Sequence, residues 1–109
     1  VDIRGPIRNP SVTNETTGEV LALNKGGAVD IGAGEVVRID LSPLAKTVWH
    51  LDASASWLDR LSDDSDLATW HLAASPEAAG GVNSLVFTGF NAGAETAITL
   101  RWSDRFIGV

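Results

Sequence analysis

The 109-residue chain contains no cysteine and no methionine. Without cysteine there is no disulfide framework, no thiolate nucleophile and no thiolate zinc site, and thiol usage leaves the compartment open. The missing initiator methionine leads us to expect a chain that was processed, cut from a longer protein or trimmed. No apolar run approaches the ~18 residues that cross a bilayer as a helix. The opening Val1-Asp2-Ile3-Arg4-Gly5-Pro6 also lacks the basic-then-apolar order of a signal segment. Membrane insertion is therefore not expected. Positive charge is scarce as well: eight Lys and Arg stand against fourteen Asp and Glu, for a net charge of −6. Such a surface repels phosphate backbones and anionic headgroups over about a Debye length, which argues against nucleic acid as a partner. It suits an extracellular or periplasmic life, and a cytosolic one too.

What is present is a 44% apolar composition spread from end to end, enough for one core and one domain over residues 1–109. Residues 1–17 are expected either as an extended arm or as the first strand. Short runs rich in Val, Ile, Leu, Thr and Trp recur between clusters of Gly, Pro, Asn, Asp and Ser. That is the signature of an all-β, immunoglobulin-like β-sandwich of about seven to eight strands. The clearest run is Val36 to Leu41, where Val37, Ile39 and Leu41 share one face and Arg38 and Asp40 the other. Glu95 to Trp102 alternates likewise, and Ser84 to Phe90 puts Leu85 and Phe87 together. These two strands are expected to neighbour each other through Asn91-Ala92-Gly93. Glu19 to Leu23 and Ala28 to Ile31 read as a hairpin about Asn24-Lys25-Gly26-Gly27, with Val48 to Asp52 and Thr69 to Ala73 as further strands. Ser54 to Leu67 suits either a helical turn or a short strand.

Chemistry-bearing residues are few. His50 and His71 each follow a Trp and read as exposed or rim histidines, since no third ligand stands at a metal-site spacing. Asp59, Asp63, Asp64 and Asp66 read as a solvated acidic loop, because the Gly and Glu of a calcium-binding EF-hand loop are absent. No serine lies in a Gly-x-Ser-x-Gly or Ser-x-x-Lys context, and neither glycine pair has the lysine of a phosphate loop. Catalytic residues, metal ligands and cofactors are accordingly not expected, and the chain reads as a non-enzyme. Of the four tryptophans, Trp49 and Trp102 are expected in the core, whereas Trp57 and Trp70 are candidates for exposure to a partner or a sugar ring.

Three segments carry a family resemblance. Gly34 to Leu41 leads into Ser42-Pro43-Leu44-Ala45-Lys46-Thr47-Val48-Trp49, which is similar in spacing to an Asn-Pro-Thr-Thr-Gly-Tyr-x-Trp loop and shares its Pro and Trp. Ala78-Ala79-Gly80-Gly81 stands where a Gly-x-Gly-Gly would, ahead of Leu85 to Thr88 and the strand ending at Thr99-Leu100. Asp104-Arg105-Phe106 replaces an Arg-Pro-Trp and keeps its aromatic. In this layout residues 28–107 resemble the chagasin family of cysteine-peptidase inhibitors, single immunoglobulin-like domains. The resemblance implies a partner-binding edge including Pro43, Lys46, Thr47, Trp70, Gly80, Gly81, Arg105 and Phe106, which would occlude the cleft of a papain-like peptidase sterically. The alternative is a structural immunoglobulin-like module of a secreted, surface or virion assembly, without inhibitory activity. Converging loops favour the inhibitor, and separated loops the module.

Overall fold

In the computed structural model, which describes residues 1–42, 46–73 and 79–100, the chain folds as two antiparallel sheets closing on one core. The strands are β1 (Asp2–Arg4), β2 (Ile7–Asn14), β3 (Glu19–Ala22), β4 (Asp30–Ile31), β5 (Val36–Asp40), β6 (Thr47–His50), β7 (Ala55–Ser56), β8 (Leu85–Phe90) and β9 (Ala97–Thr99). One sheet has the order β7-β6-β5-β1-β9; in the other, β2 is central, flanked by β3 and β4 on one edge and by β8 on the opposite edge. This is the β-sandwich that the alternation of apolar residues implies. Residues 2–14 supply β1 and β2, so the N-terminal stretch is built into both sheets.

The sandwich turns on a corner at Gly5-Pro6, a cis peptide, where the chain leaves the first sheet and enters the second. Its neighbours cross at the same place. On one side the pairing runs from Arg4↔Val36 to Ile7↔Ile31, the neighbouring strand taking up two extra residues, and Gly5 holds it through Gly5 N–H to Glu35 O at 3.0 Å and Gly34 N–H to Gly5 O at 3.2 Å. On the other side the pairing runs from Arg4↔Ala97 to Arg8↔Phe90, with three extra residues. There the Thr96 hydroxyl donates to Pro6 O at 2.6 Å and accepts from Gly93 N–H at 2.8 Å. Extra residues of this kind are how strands turn a sandwich corner. Gly5 is required by space: a Cβ there would run into the carbonyl oxygens of Ile31 and Gly32.

Two expected pairings change for this reason. β8 and β9 are not neighbours, because residues 91–96 carry the chain across the corner from β2 to β1. Nor do β3 and β4 form a hairpin; both line the same edge of β2. Asn9, at φ 50° in the bulge of β2, explains this by holding the intervening loop. Its backbone N–H donates to Val29 O at 2.8 Å, its Oδ1 accepts Val29 N–H at 2.8 Å and its Nδ2 donates to Gly27 O at 3.0 Å. Thr69 to Ala73 is no strand either, since Asp66 O accepts both Thr69 N–H and Trp70 N–H and winds the segment into a turn.

The core joins Ile3, Val37, Ile39 and Val48 of the first sheet to Ile7, Val12, Leu21 and Ile31 of the second, closed by Leu23, Val29, Trp57, Leu61 and Trp70. Each aliphatic side chain so buried contributes roughly 1.5–3 kcal/mol. Val37 and Ile39 face inward and Arg38 outward, as their alternation requires. The tryptophans sort against expectation: Trp49 is 41% exposed, while Trp57 and Trp70 are buried at 7% and 4%. The register decides it, since Trp49 stands opposite Arg38 on the outer face and Val48 and His50 then turn inward. Trp102 lies outside the described residues.

Gly5→Ala should therefore lower stability by about 3 kcal/mol, an overpacking cost against unyielding backbone. Gly80→Ala, at φ 64° with open space around it, should cost only about 1 kcal/mol. Urea denaturation of the two variants checks the order, and equal midpoints would refute the corner as the tighter constraint.

Candidate functional site

Lys46 and Thr47 open β6 beside the end of β5. The Lys46 ammonium donates back to Leu41 O at 3.0 Å, and Asp40, opposite Thr47, accepts the Ser42 N–H at 2.8 Å and hydroxyl at 2.6 Å. The end of β5 here adjoins the N-terminus, where the Val1 ammonium donates to Ile39 O at 2.9 Å. Gly80 and Gly81 sit elsewhere, exposed at φ 64° and 73° in the turn before β8. That turn adjoins Asn14 to Thr16: Ser84 O accepts Glu15 N–H at 2.7 Å, and Ser84 N–H donates to the Thr16 hydroxyl at 2.9 Å. The described residues of the two segments thus have separate neighbours, one set beside Val1 and the other beside Glu15 and Thr16. Trp70 is a correction, because a ring 4% exposed belongs to the core and offers no surface to a partner or a sugar. Pro43, Arg105 and Phe106 lie outside the described residues.

The polar residues with chemical potential act as partners for backbone. His50 is buried, against the expectation of a rim position. Its Nδ1 accepts Ala53 N–H at 2.9 Å, which leaves Nε2 to carry the proton towards Glu35 Oε1 at 3.3 Å, while the same oxygen accepts Gly32 N–H at 2.8 Å. His50 thereby ties the turn after β6 to the sheet corner. His71, exposed as expected, lies on the second sheet's side, with Nδ1 2.9 Å from Glu19 Oε1. The two histidines have separate partners, and among the described residues no three His, Asp or Glu side chains gather as metal ligands.

The acidic loop has a structural task that the sequence does not announce. Asp66 Oδ2 accepts Val20 N–H at 2.8 Å, Asp66 N–H donates to Val20 O at 2.8 Å, Ser62 N–H donates to Ala22 O at 2.8 Å and Ser65 Oγ accepts Ala22 N–H at 2.9 Å. Residues 62–66 therefore act as an improvised strand along the outer edge of β3. Asn83 makes a similar substitute peptide, its Oδ1 accepting Ala73 N–H at 2.7 Å and its Nδ2 donating to Ala73 O at 2.9 Å. Fully buried Asn14 completes the cluster, donating to His71 O at 2.8 Å and to Asn83 Oδ1 at 3.0 Å while accepting Thr16 N–H at 3.0 Å.

Among the described residues, two sheet surfaces stand open. On the outer face of the five-stranded sheet, Ser56, Trp49, Arg38, Asp2 and Thr99 form one cross-strand row, and Arg38 grips Asp2 through two bonds of 2.8 and 3.0 Å. Beside it lies a shallow depression of about 290 Å³ lined by Asp2, Arg4, Val36, Ala97 and Thr99. The second surface is β8 with Val82, Val86 and Phe90, exposed at 71%, 38% and 66%. Sequence reasoning passed over these three. The available signal was that Leu85 to Phe90 is apolar at both parities, the pattern of a strand with apolar neighbours on two faces.

Asn14→Ala should cost about 3 kcal/mol, since the Thr16 N–H, the His71 carbonyl and the Asn83 amide oxygen all lose a partner; a denaturation midpoint within error of the parent would refute the cluster. A pH prediction follows from the carboxylates. Burial pushes Glu19 up, but hydrogen bonds from Thr69 and Thr17 and the nearby His71 outweigh it and hold the carboxyl below its usual range. The Arg8 hydrogen bond lowers Asp30, and the Ser42 hydroxyl and N–H lower Asp40. Folded values below the unfolded ones mean stability that is complete above the ordinary carboxylate range and is lost as pH falls through the lowered values. The melting temperature should decline on acidification, and less so in Glu19→Gln.

Set beside known proteins, the chain matches no family model, no curated protein and no solved structure.

Proposed function

We propose that the chain is a non-catalytic structural sandwich module that works by presenting sheet surfaces to protein partners, and that it does not inhibit papain-like peptidases. The observation that carries the reading is that Lys46 and Thr47 have their neighbours beside Val1, whereas Gly80 and Gly81 lead into Ser84, which is bonded to Glu15 and Thr16. A cleft-filling inhibitor needs its loops side by side on one rigid edge, because its affinity comes from presenting them together with little ordering cost. A module needs only a stable frame and an open surface. The engagement of His50, Asp66, Asn14 and Asn83 with backbone supports the frame, and the uncovered apolar side chains of β8 support the surface.

An active-site-titrated papain-like peptidase, incubated with a molar excess of the purified domain, should keep its full activity. Stoichiometric loss of activity, relieved by Gly81→Glu, would overturn the reading in favour of the chagasin-like inhibitor.

A further inference from the structure

We propose that the outer edge of β8 is a self-association site at which two copies of this chain pair β8 against β8, antiparallel about a two-fold axis, joining their two β2-centred sheets into one. The inference concerns oligomerisation and stands whether or not the domain inhibits a peptidase.

The edges of the molecule differ in how they are finished. β3 has its outer edge filled by residues 62–66, β7 is only Ala55–Ser56 and β9 only Ala97–Thr99. β8 runs for six residues, Leu85–Phe90, and among the described residues it pairs with β2 alone. It contains no charge and no proline, two of the devices with which sheet proteins blunt an edge. Val82, Val86 and Phe90 add exposed apolar area to it.

The free hydrogen-bonding groups can be assigned. Glu15 N–H donates to Ser84 O, so the alternation of antiparallel pairs makes Thr13↔Val86 and Ser11↔Thr88 hydrogen-bonded pairs with β2 as well. Leu85, Phe87 and Gly89 consequently direct their N–H and C=O groups away from β2. A two-fold axis between Thr88 and Thr88 of the second copy satisfies them. It sets Phe87 against Gly89 of the other copy in a hydrogen-bonded pair, on both sides of the axis. The same register lays Val86 beside Phe90 of the other copy on the outer face. On the inner face Gly89 is already covered by the Ile7 side chain of its own copy, so its side chain being absent leaves no gap at the seam.

Between two copies of like charge, this uncharged edge is where approach is least opposed. Each copy carries −6, so association through most of the surface is repulsive. β8 is uncharged, and the row that ends in Phe90 continues into Arg8 and Asp30, whose bidentate pair is neutral in sum. Strand pairing over six residues buries on the order of 1,000 Å² in total, the low end of specific interfaces.

Sedimentation equilibrium from micromolar to millimolar concentration should show a reversible monomer–dimer equilibrium. Thr88→Lys, which sets two like charges on the axis at an exposed position, should raise the dissociation constant about tenfold or more. The parent chain has no cysteine, so Thr88→Cys introduces a single thiol, and a non-hydrogen-bonded antiparallel pair has the spacing of a disulfide. Thr88→Cys should cross-link under mild oxidation. Val86→Cys and Phe90→Cys should cross-link to each other when mixed and poorly alone. A chain monomeric throughout, leaving the edge to a strand of another protein, overturns the proposal. So does a dimer that ignores Thr88→Lys and whose Thr88→Cys form stays unlinked. Peptidase titration reads the preceding proposal separately, and neither result depends on the other.

Discussion

Everything in this fold depends on the passage of three neighbouring chain segments through one corner. At Gly5-Pro6 the central strand changes sheets, and both flanking strands must change with it, at residues 32–35 and 91–96. Antiparallel pairing is rigid in register, so the flanking strands can bend only by taking up extra residues on the outside of the curve. The absence of a side chain at Gly5 lets the Ile31 and Gly32 carbonyls come close enough for the crossing. The core follows from this, because the bend folds Ile3 of one sheet and Ile7 of the other into a single apolar cluster.

A second theme is the use of short polar side chains as backbone. Asn9, Asn14, Asn83, Ser65 and Asp66 each pair with main-chain groups that no strand reaches. A small domain with several irregular connections leaves many such groups, and a buried one without a partner costs about 1–3 kcal/mol. Amides and carboxylates on short stems supply those partners with little loss of side-chain entropy. The cost to function is that the residues most easily read as reactive are already occupied. His50 is the clearest case, with both ring nitrogens engaged between a turn and the sheet corner.

The sequence makes legible what depends on alternation. Val36–Asp40 stands out because one face is apolar, and Leu85–Phe90 because it is an apolar run bounded by turn residues; both are strands with the expected inward set. It does not make legible what depends on non-local register. Thr47-Val48-Trp49-His50 alternates equally well in either phase, and only pairing with Arg38 sends Trp49 outward and His50 inward. The partnering of β8 with β2 and β9 with β1 is hidden for a similar reason: a turn-like Asn91-Ala92-Gly93 reads as a hairpin, while the crossing is set by Pro6 and Thr96 from remote parts of the chain. Of the loop residues brought forward by family resemblance, spacing along the chain placed Lys46 and Gly80 outside the strands. Their distance from one another in the fold is a property of topology.

The acidic segment beside β3 has one more consequence. Because residues 62–66 occupy that margin of the β2-centred sheet, the sheet has a finished side and an unfinished one. An array built by adding sheet to sheet needs two unfinished sides per molecule in order to lengthen. Among its described strands this sheet has one long unfinished side, β8, so joining through that sheet alone would end at a pair. Five residues, three of them Asp, placed where a strand would otherwise be, set that limit.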